Sequence, residues 1–158
     1  MYKEYLKIDK SKNGLGVFAT IDIPKKSPLL ELNGNIYRDS IELIPEEYLQ
    51  IGNNTFIGKS GALSDYINHS CEPNAFVSAM GNRVILYSIY DIRANSEITF
   101  DYSTTSTDTL DSWKMSCNCG SYKCRKIISG LQYVDSKIVE DYKNKGALPL
   151  FIYTKQIL

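Results

Sequence analysis

The sequence is poor in several things, and each shortage narrows what the chain can do. Its 158 residues include one histidine and one tryptophan. Lysine plus arginine and aspartate plus glutamate each total 18, so the formal net charge is zero. Proteins that grip a duplex through its phosphates usually carry a basic excess. This chain has none, and direct nucleic-acid binding is not expected. A basic peptide stays open as a partner, because a local acidic groove leaves no trace in a global sum. No stretch reaches the roughly 18 consecutive apolar residues that mark a membrane span. Met1-Tyr2-Lys3-Glu4-Tyr5 lacks the apolar core of a signal peptide. The expectation is an intracellular chain, cytoplasmic or nuclear, with no membrane partner. A secreted effector exported without a cleaved signal would read the same way.

What is present fits one ordinary globular domain. The hydrophobic fraction of 43% is enough for a core at this length. Most of the chain reads as short strands. Val17 to Ile21 follows Gly14 and Gly16, and Leu29 to Leu32 is closed by Asn33-Gly34. Ala75 to Met80, the turn Gly81-Asn82 and Arg83 to Ile89 form the clearest hairpin. Glu97-Ile98-Thr99-Phe100-Asp101-Tyr102 is another strand-like run. A weak helix signal covers residues 41–50. A stronger one covers Ser136 to Lys145, with Gly146 as its stop and Pro149 beyond. Residues 103–112 are rich in Ser, Thr and Asp and read as a loop. The class is mainly β with short helices.

There are four cysteines, and three of them, Cys117, Cys119 and Cys124, crowd into one short segment. Without an export signal, metal binding explains such clustering better than disulfides do. A structural zinc site takes four ligands in a tetrahedron. The triplet leaves one position, and Cys71 is the only cysteine left to fill it. The bland alternative is that Cys71 is a small buried apolar residue. His69, two positions away, raises a Cys–His nucleophilic pair, but such dyads meet in space rather than along the chain. His69 as a hydrogen-bonded core residue is the other plain reading.

Four segments together resemble one family. Gly14-Leu15-Gly16-Val17-Phe18-Ala19 resembles the opening glycine motif of SET-domain protein-lysine methyltransferases. Asn68-His69-Ser70-Cys71-Glu72-Pro73-Asn74 is similar to the family's central motif, and residues 97–102 to its third. Cys117, Cys119, Cys124 and Arg125 resemble the post-SET zinc segment. Order and spacing agree. The resemblance implies a fold of small curved β-sheets in which the third motif is threaded, pseudoknot fashion, beside the central one. It divides the chain into a SET domain over 1–112, a post-SET zinc segment over 113–130 and a C-terminal helical extension over 131–158.

The resemblance also implies chemistry. The cofactor is S-adenosylmethionine, bound by Gly14, Leu15, Gly16, Asn68 and His69. Tyr102 matches the catalytic tyrosine, and Tyr66, Phe100 and Tyr102 line the substrate channel. Cys71, Cys117, Cys119 and Cys124 hold one structural zinc, the same closure that counting reached. Phe100 stands where a tyrosine would hold a water that crowds larger products, so di- and trimethylation are permitted. The substrate is a lysine of a histone or another protein, and the sequence leaves monomer and homodimer both open.

The chain departs from the family at Asp65, where arginine is common, at Leu32, where tyrosine is common, and at Lys126, where glycine is usual. These departures keep two other readings in play: a SET-like peptide-binding module with weak or no turnover, and a zinc-stabilised adaptor with no cofactor. Retention of Gly14, Gly16, Asn68, His69 and Tyr102 together favours the enzyme.

Overall fold

The computed structural model describes residues 1–38, 48–107 and 113–154. Its strands are short and its helices few, as the pattern of the sequence requires. The hairpin of β8 (Ala75–Met80) and β9 (Arg83–Ser88) shows why. Ala75, Val77 and Ala79 alternate inward, and Val84, Leu86 and Ser88 do the same on the partner strand. Met80 pairs with Arg83 across a two-residue turn, and Gly81 supplies the positive φ (61°) that its first position needs. β3 (Pro28–Leu32) joins antiparallel to β9, giving the sheet order β3-β9-β8.

The sheet that matters for function has the order β1-β2-β10-β7. β1 (Leu6–Ser11) and β2 (Gly14–Ala19) form a hairpin, and β10 (Glu97–Phe100) lies antiparallel to β2. β7 (Asn68–His69) runs parallel to β10, with Thr99 opposite Asn68 and Phe100 opposite His69. One sheet therefore holds all three motifs side by side. The expected strand from Val17 begins earlier, at Gly14, because the glycines are themselves paired to β1. The expected strand from Glu97 ends at Phe100, and Tyr102 to Thr105 form a 3-10 turn capped by the Asp101 side chain.

A third sheet has the order β4-β6-β5, from β4 (Ile36–Tyr37), β5 (Leu49–Gly52) and β6 (Thr55–Ile57). Gly34 lies so near this sheet that a Cβ there would fall 2.0 Å from the Gly58 carbonyl oxygen. Most of the helix signal at 41–50 lies outside the described residues, while Leu49 and Gln50 are strand. Of the loop expected at 103–112, residues 108–112 also lie outside them. The core joins these sheets through Val17, Leu29, Val77, Val84, Leu86 and Ile98, all fully enclosed.

β11 (Lys114–Ser116) and β12 (Ile127–Ser129) pair antiparallel and present the cysteine loop between them. Lys126 takes the left-handed conformation there (φ 67°), which accounts for the glycine usual at this position. After them, α1 (Ser136–Lys145) matches the sequence reading at both ends. Asp135 caps its start, and Gly146 (φ 64°) closes it in a Schellman arrangement with Ala147 bonded back to Tyr142. α2 (Leu150–Thr154) follows. These helices close a second apolar cluster against Phe76 and Ile89. No helix among the described residues is long and apolar enough to cross a membrane.

Candidate active site and cysteine cluster

Gly14 opens β2 with φ 96° and nothing within 4 Å of where a Cβ would stand, so the strand edge is open there. Gly16 is different. A Cβ on it would lie 2.2 Å from Glu97 Oε1 and 3.0 Å from Asn68 Nδ2. Those two side chains are themselves bonded, Asn68 Nδ2 donating to Glu97 Oε1 at 2.7 Å and to the Leu15 carbonyl at 2.9 Å. Both amide protons of Asn68 are committed, and with them the direction of its Oδ1. Glu97 is fixed at its other oxygen by Ser11 Oγ at 2.9 Å. The third-motif glutamate is thus part of the site. The sequence reading missed it, and its place in the motif was the only available signal.

His69 is buried between the two motifs. Its Nδ1 accepts the Tyr102 backbone N–H at 3.2 Å, and its Nε2 lies 3.3 Å from Cys71 Sγ. Burial pushes its pKa down to about 4 against the pull of Asp101. The ring is therefore neutral near pH 7, and its 3.5 Å approach to Asp101 Oδ1 is not an ion pair. Asn74, at the end of the central motif, completes the junction. It donates to the Glu97 carbonyl at 2.7 Å and accepts the Thr99 N–H at 2.9 Å, standing in for a strand beside β10.

Tyr102 donates its hydroxyl to the Ile67 carbonyl at 2.8 Å. Burial, with Glu97 adding to it, raises its pKa to about 12. The phenol is thus protonated at physiological pH. Its ring meets Phe100 at 4.9 Å and His69 at 5.4 Å between centroids. Phe100 is buried in the main core, while Tyr66 is more than a third exposed. Asp65 is taken up locally: its Oδ2 accepts the Ser60 and Gly61 N–H groups at 2.9 and 2.6 Å.

The cysteines meet beside this site. The ligand atoms of His69, Cys71, Cys117 and Cys119 all lie within 4.8 Å of one another. Cys71 Sγ and Cys117 Sγ are 3.8 Å apart. Thiolates in a tetrahedron at zinc–sulfur distances of about 2.3 Å stand about 3.8 Å apart, so the spacing fits zinc. All four cysteines are free thiols. Cys124, expected as the fourth ligand, is not in that group of ligand atoms within 4.8 Å; it packs against Cys71, Cys117 and Ile128 with its Sγ turned toward the Cys117 carbonyl at 3.4 Å. Burial raises the Cys117 thiol to about 12. Burial also pushes Cys119 up, but backbone donors at Cys71 and Ser121 together with the Cys117 and Cys124 thiols bring it down to about 7. The Arg125 N–H also points at Cys71 Sγ, at 3.3 Å.

Comparison with known proteins agrees with this geometry. The SET-domain family model matches residues 14–103. Histone-lysine N-methyltransferase trithorax of Drosophila virilis is 29% identical over 145 residues, which are 81% of this chain and 4% of that protein. Histone-lysine N-methyltransferase 2D of Homo sapiens is 33% identical over 129 residues, 72% of this chain and 2% of that protein. The chain thus spans a small fraction of the length of these relatives. Among solved structures, KRYPTONITE in complex with DNA, an H3 peptide and SAH superposes with a TM-score of 0.63. It is 30% identical, covering 78% of this chain and 29% of that one. SUVH6 of Arabidopsis thaliana in complex with SAM gives 0.64 at 26% identity, covering 77% and 32%. With more than half its length matched and its three motifs gathered on one sheet, the chain belongs to the SET-domain family.

Proposed function

We propose that the chain is an S-adenosylmethionine-dependent protein-lysine methyltransferase, acting on a histone or another protein, with di- and trimethylation permitted. The observation that carries this reading is the fixed Asn68 amide, clamped by the Leu15 carbonyl and the Glu97 carboxylate beside the open strand edge at Gly14. The relatives named as histone-lysine methyltransferases and the neighbours holding SAH or SAM support it. Relatives that act on histones also favour the nucleus as its place of work.

When bound, S-adenosylmethionine supplies an activated methyl group on a cationic sulfur. The residues present suit such a group: Gly14 leaves space, Asn68 offers an oriented amide, and Glu97 would supply negative charge to a cation bound beside it. His69 packs against the Tyr102 ring as a neutral imidazole. The acceptor lysine, ordinarily near pKa 10.4, must arrive uncharged. A narrow apolar lining from Phe100, Tyr66 and Tyr102 next to a positive charge favours the free amine through desolvation and repulsion. Tyr102, protonated and anchored to Ile67, orients the amine rather than taking its proton.

Cys71, Cys117, Cys119 and Cys124 are the ligand set for one structural zinc. His69 Nε2–H and the Arg125 N–H then serve as donors to the Cys71 thiolate. The test is incubation with labelled S-adenosylmethionine, a histone panel and cell lysate, beside calorimetry with the cofactor alone. Label in protein lysines, with cofactor binding, is the expected result. Cofactor binding without label would instead mark a peptide-binding module. Absence of both label and cofactor binding would overturn the reading.

A further inference from the structure

Asp101 is almost completely buried, at 1% exposure, and a carboxylate so far from water needs partners on both oxygens. It receives them from three parts of the chain. Its Oδ1 accepts Ser103 N–H at 3.0 Å and Arg125 Nη2 at 2.6 Å. Its Oδ2 accepts the Tyr142 hydroxyl at 2.9 Å. Tyr142 is the one fully buried residue of α1, and it lies well outside the residues that the family model matches. The carboxylate is also the cap of the turn that begins at Tyr102. The Tyr102 backbone N–H leaves that turn to bond His69, and its hydroxyl bonds Ile67. Asp101 is thus the pivot from which the Tyr102 ring is aimed.

We infer that Tyr142 is a positioning residue for Tyr102. By holding Asp101 Oδ2, it stops the carboxylate from turning about its own bond and so fixes the turn over residues 102–105. α1 is then a working part of the active unit, coupled to the motif through one hydroxyl. The kinetic consequence rests on the methyltransferase reading. The positioning itself does not.

Two variants of the full chain test it. Tyr142→Phe keeps the ring in its packing and removes only the donor. Val139→Ala weakens the same helix, because Val139 packs in the second apolar cluster, but leaves the Tyr142 hydroxyl in place. Amide hydrogen exchange is followed over residues 101–105, with melting curves and steady-state kinetics alongside. In Tyr142→Phe, exchange over 101–105 should speed up about tenfold, the size expected for losing a hydrogen bond to a charged group. kcat should fall by a similar factor, while KM for the cofactor stays within about twofold. Val139→Ala should lower the melting temperature without either change. Faster exchange in a chain that shows no methyl transfer would support the positioning and count only against the methyltransferase reading. Unchanged exchange over 101–105 in Tyr142→Phe, or an equal change in Val139→Ala, would overturn the inference.

Discussion

The Glu97 carboxylate fills the space that a side chain on Gly16 would need. A Cβ on Gly16 would lie 2.2 Å from Glu97 Oε1, closer than any real carbon–oxygen contact allows. A side chain there would have to displace the Glu97 carboxylate from its bonds to Asn68 and Ser11, so the glycine is favoured from inside the protein. Close approach of a ligand is the usual reason for glycine in such a motif, and here that reason applies better to Gly14, which faces open space. Two glycines two positions apart thus do different work.

Gly16→Ala should push Glu97 off Asn68 and free the Asn68 amide to turn. Overpacking of this kind costs about 1–3 kcal/mol, and S-adenosylmethionine affinity should weaken by about tenfold or more if that energy is lost from binding. Glu97→Gln should give a smaller loss in the same direction, since it keeps the shape and removes the charge. Calorimetric titration of both variants checks this. Wild-type affinity in Gly16→Ala would show that Glu97 does not orient the site.

The motifs were legible because their residues are the chemistry: Gly14, Gly16, Asn68, His69 and Tyr102 all meet on or beside one sheet. The hairpin of β8 and β9 and the ends of α1 were legible too, since alternation, turn glycine and caps are local signals. β7 was not, because a strand of two residues has no periodicity to read. Nor was the Asp101–Tyr142 bond, which spans 41 positions and depends on how α1 docks. At Asp65, where the family commonly has arginine, the sequence did not disclose that the carboxylate is bonded to its own loop.

Restoring the family's arginine by Asp65→Arg should therefore harm the chain rather than improve it. The Ser60 and Gly61 N–H groups lose their acceptor, a loss comparable to removing a helix cap, about 1 kcal/mol. At this chain length that lowers the melting temperature by about 2–4 °C. Thermal unfolding at neutral pH measures it, and an unchanged or higher midpoint would refute the structural role given to Asp65.

Tyr102 sets the alkaline behaviour. Its folded pKa is raised, to about 12, above the ordinary value of 10. The protonated phenol is thus the form the fold favours. Its contribution to stability is complete below pH 10 and is lost as pH rises through 12. The methyl-transfer rate should accordingly rise with pH as the substrate amine deprotonates, with no falling limb from a phenol below pH 10. A fall in rate between pH 8 and 10 that Tyr102→Phe abolishes would contradict the assignment.

Two donor sets compete: the four cysteines of the proposed zinc site, and His69 with Cys71, Cys117 and Cys119, whose ligand atoms lie within 4.8 Å of one another. The hydrogen bonds favour the first. His69 Nδ1 accepts the Tyr102 N–H, so the ring proton sits on Nε2 and points at Cys71 Sγ. Metal analysis should find about one zinc per wild-type chain, as a four-ligand structural site holds. Cys71→Ala and Cys124→Ser should both lose it, and His69→Gln should keep it. Zinc retained in Cys124→Ser and lost in His69→Gln would assign the histidine as the fourth ligand.

The proposed role of Phe100 in setting how many methyl groups are added can be tested directly. Its ring is buried and tilted against Tyr102, with centroids 4.9 Å apart, so on the proposed reading a hydroxyl added at its para position would stand beside the residue that orients the amine. That hydroxyl needs a partner once it is out of water, and a bound water beside the amine is the partner that fits. The water takes the room a second methyl requires. Phe100→Tyr should therefore shift products toward monomethyl-lysine, with the first transfer little affected, as mass spectrometry of a labelled peptide would record. The same spread of mono-, di- and trimethyl products in both proteins would remove Phe100 from that role and leave it as core packing.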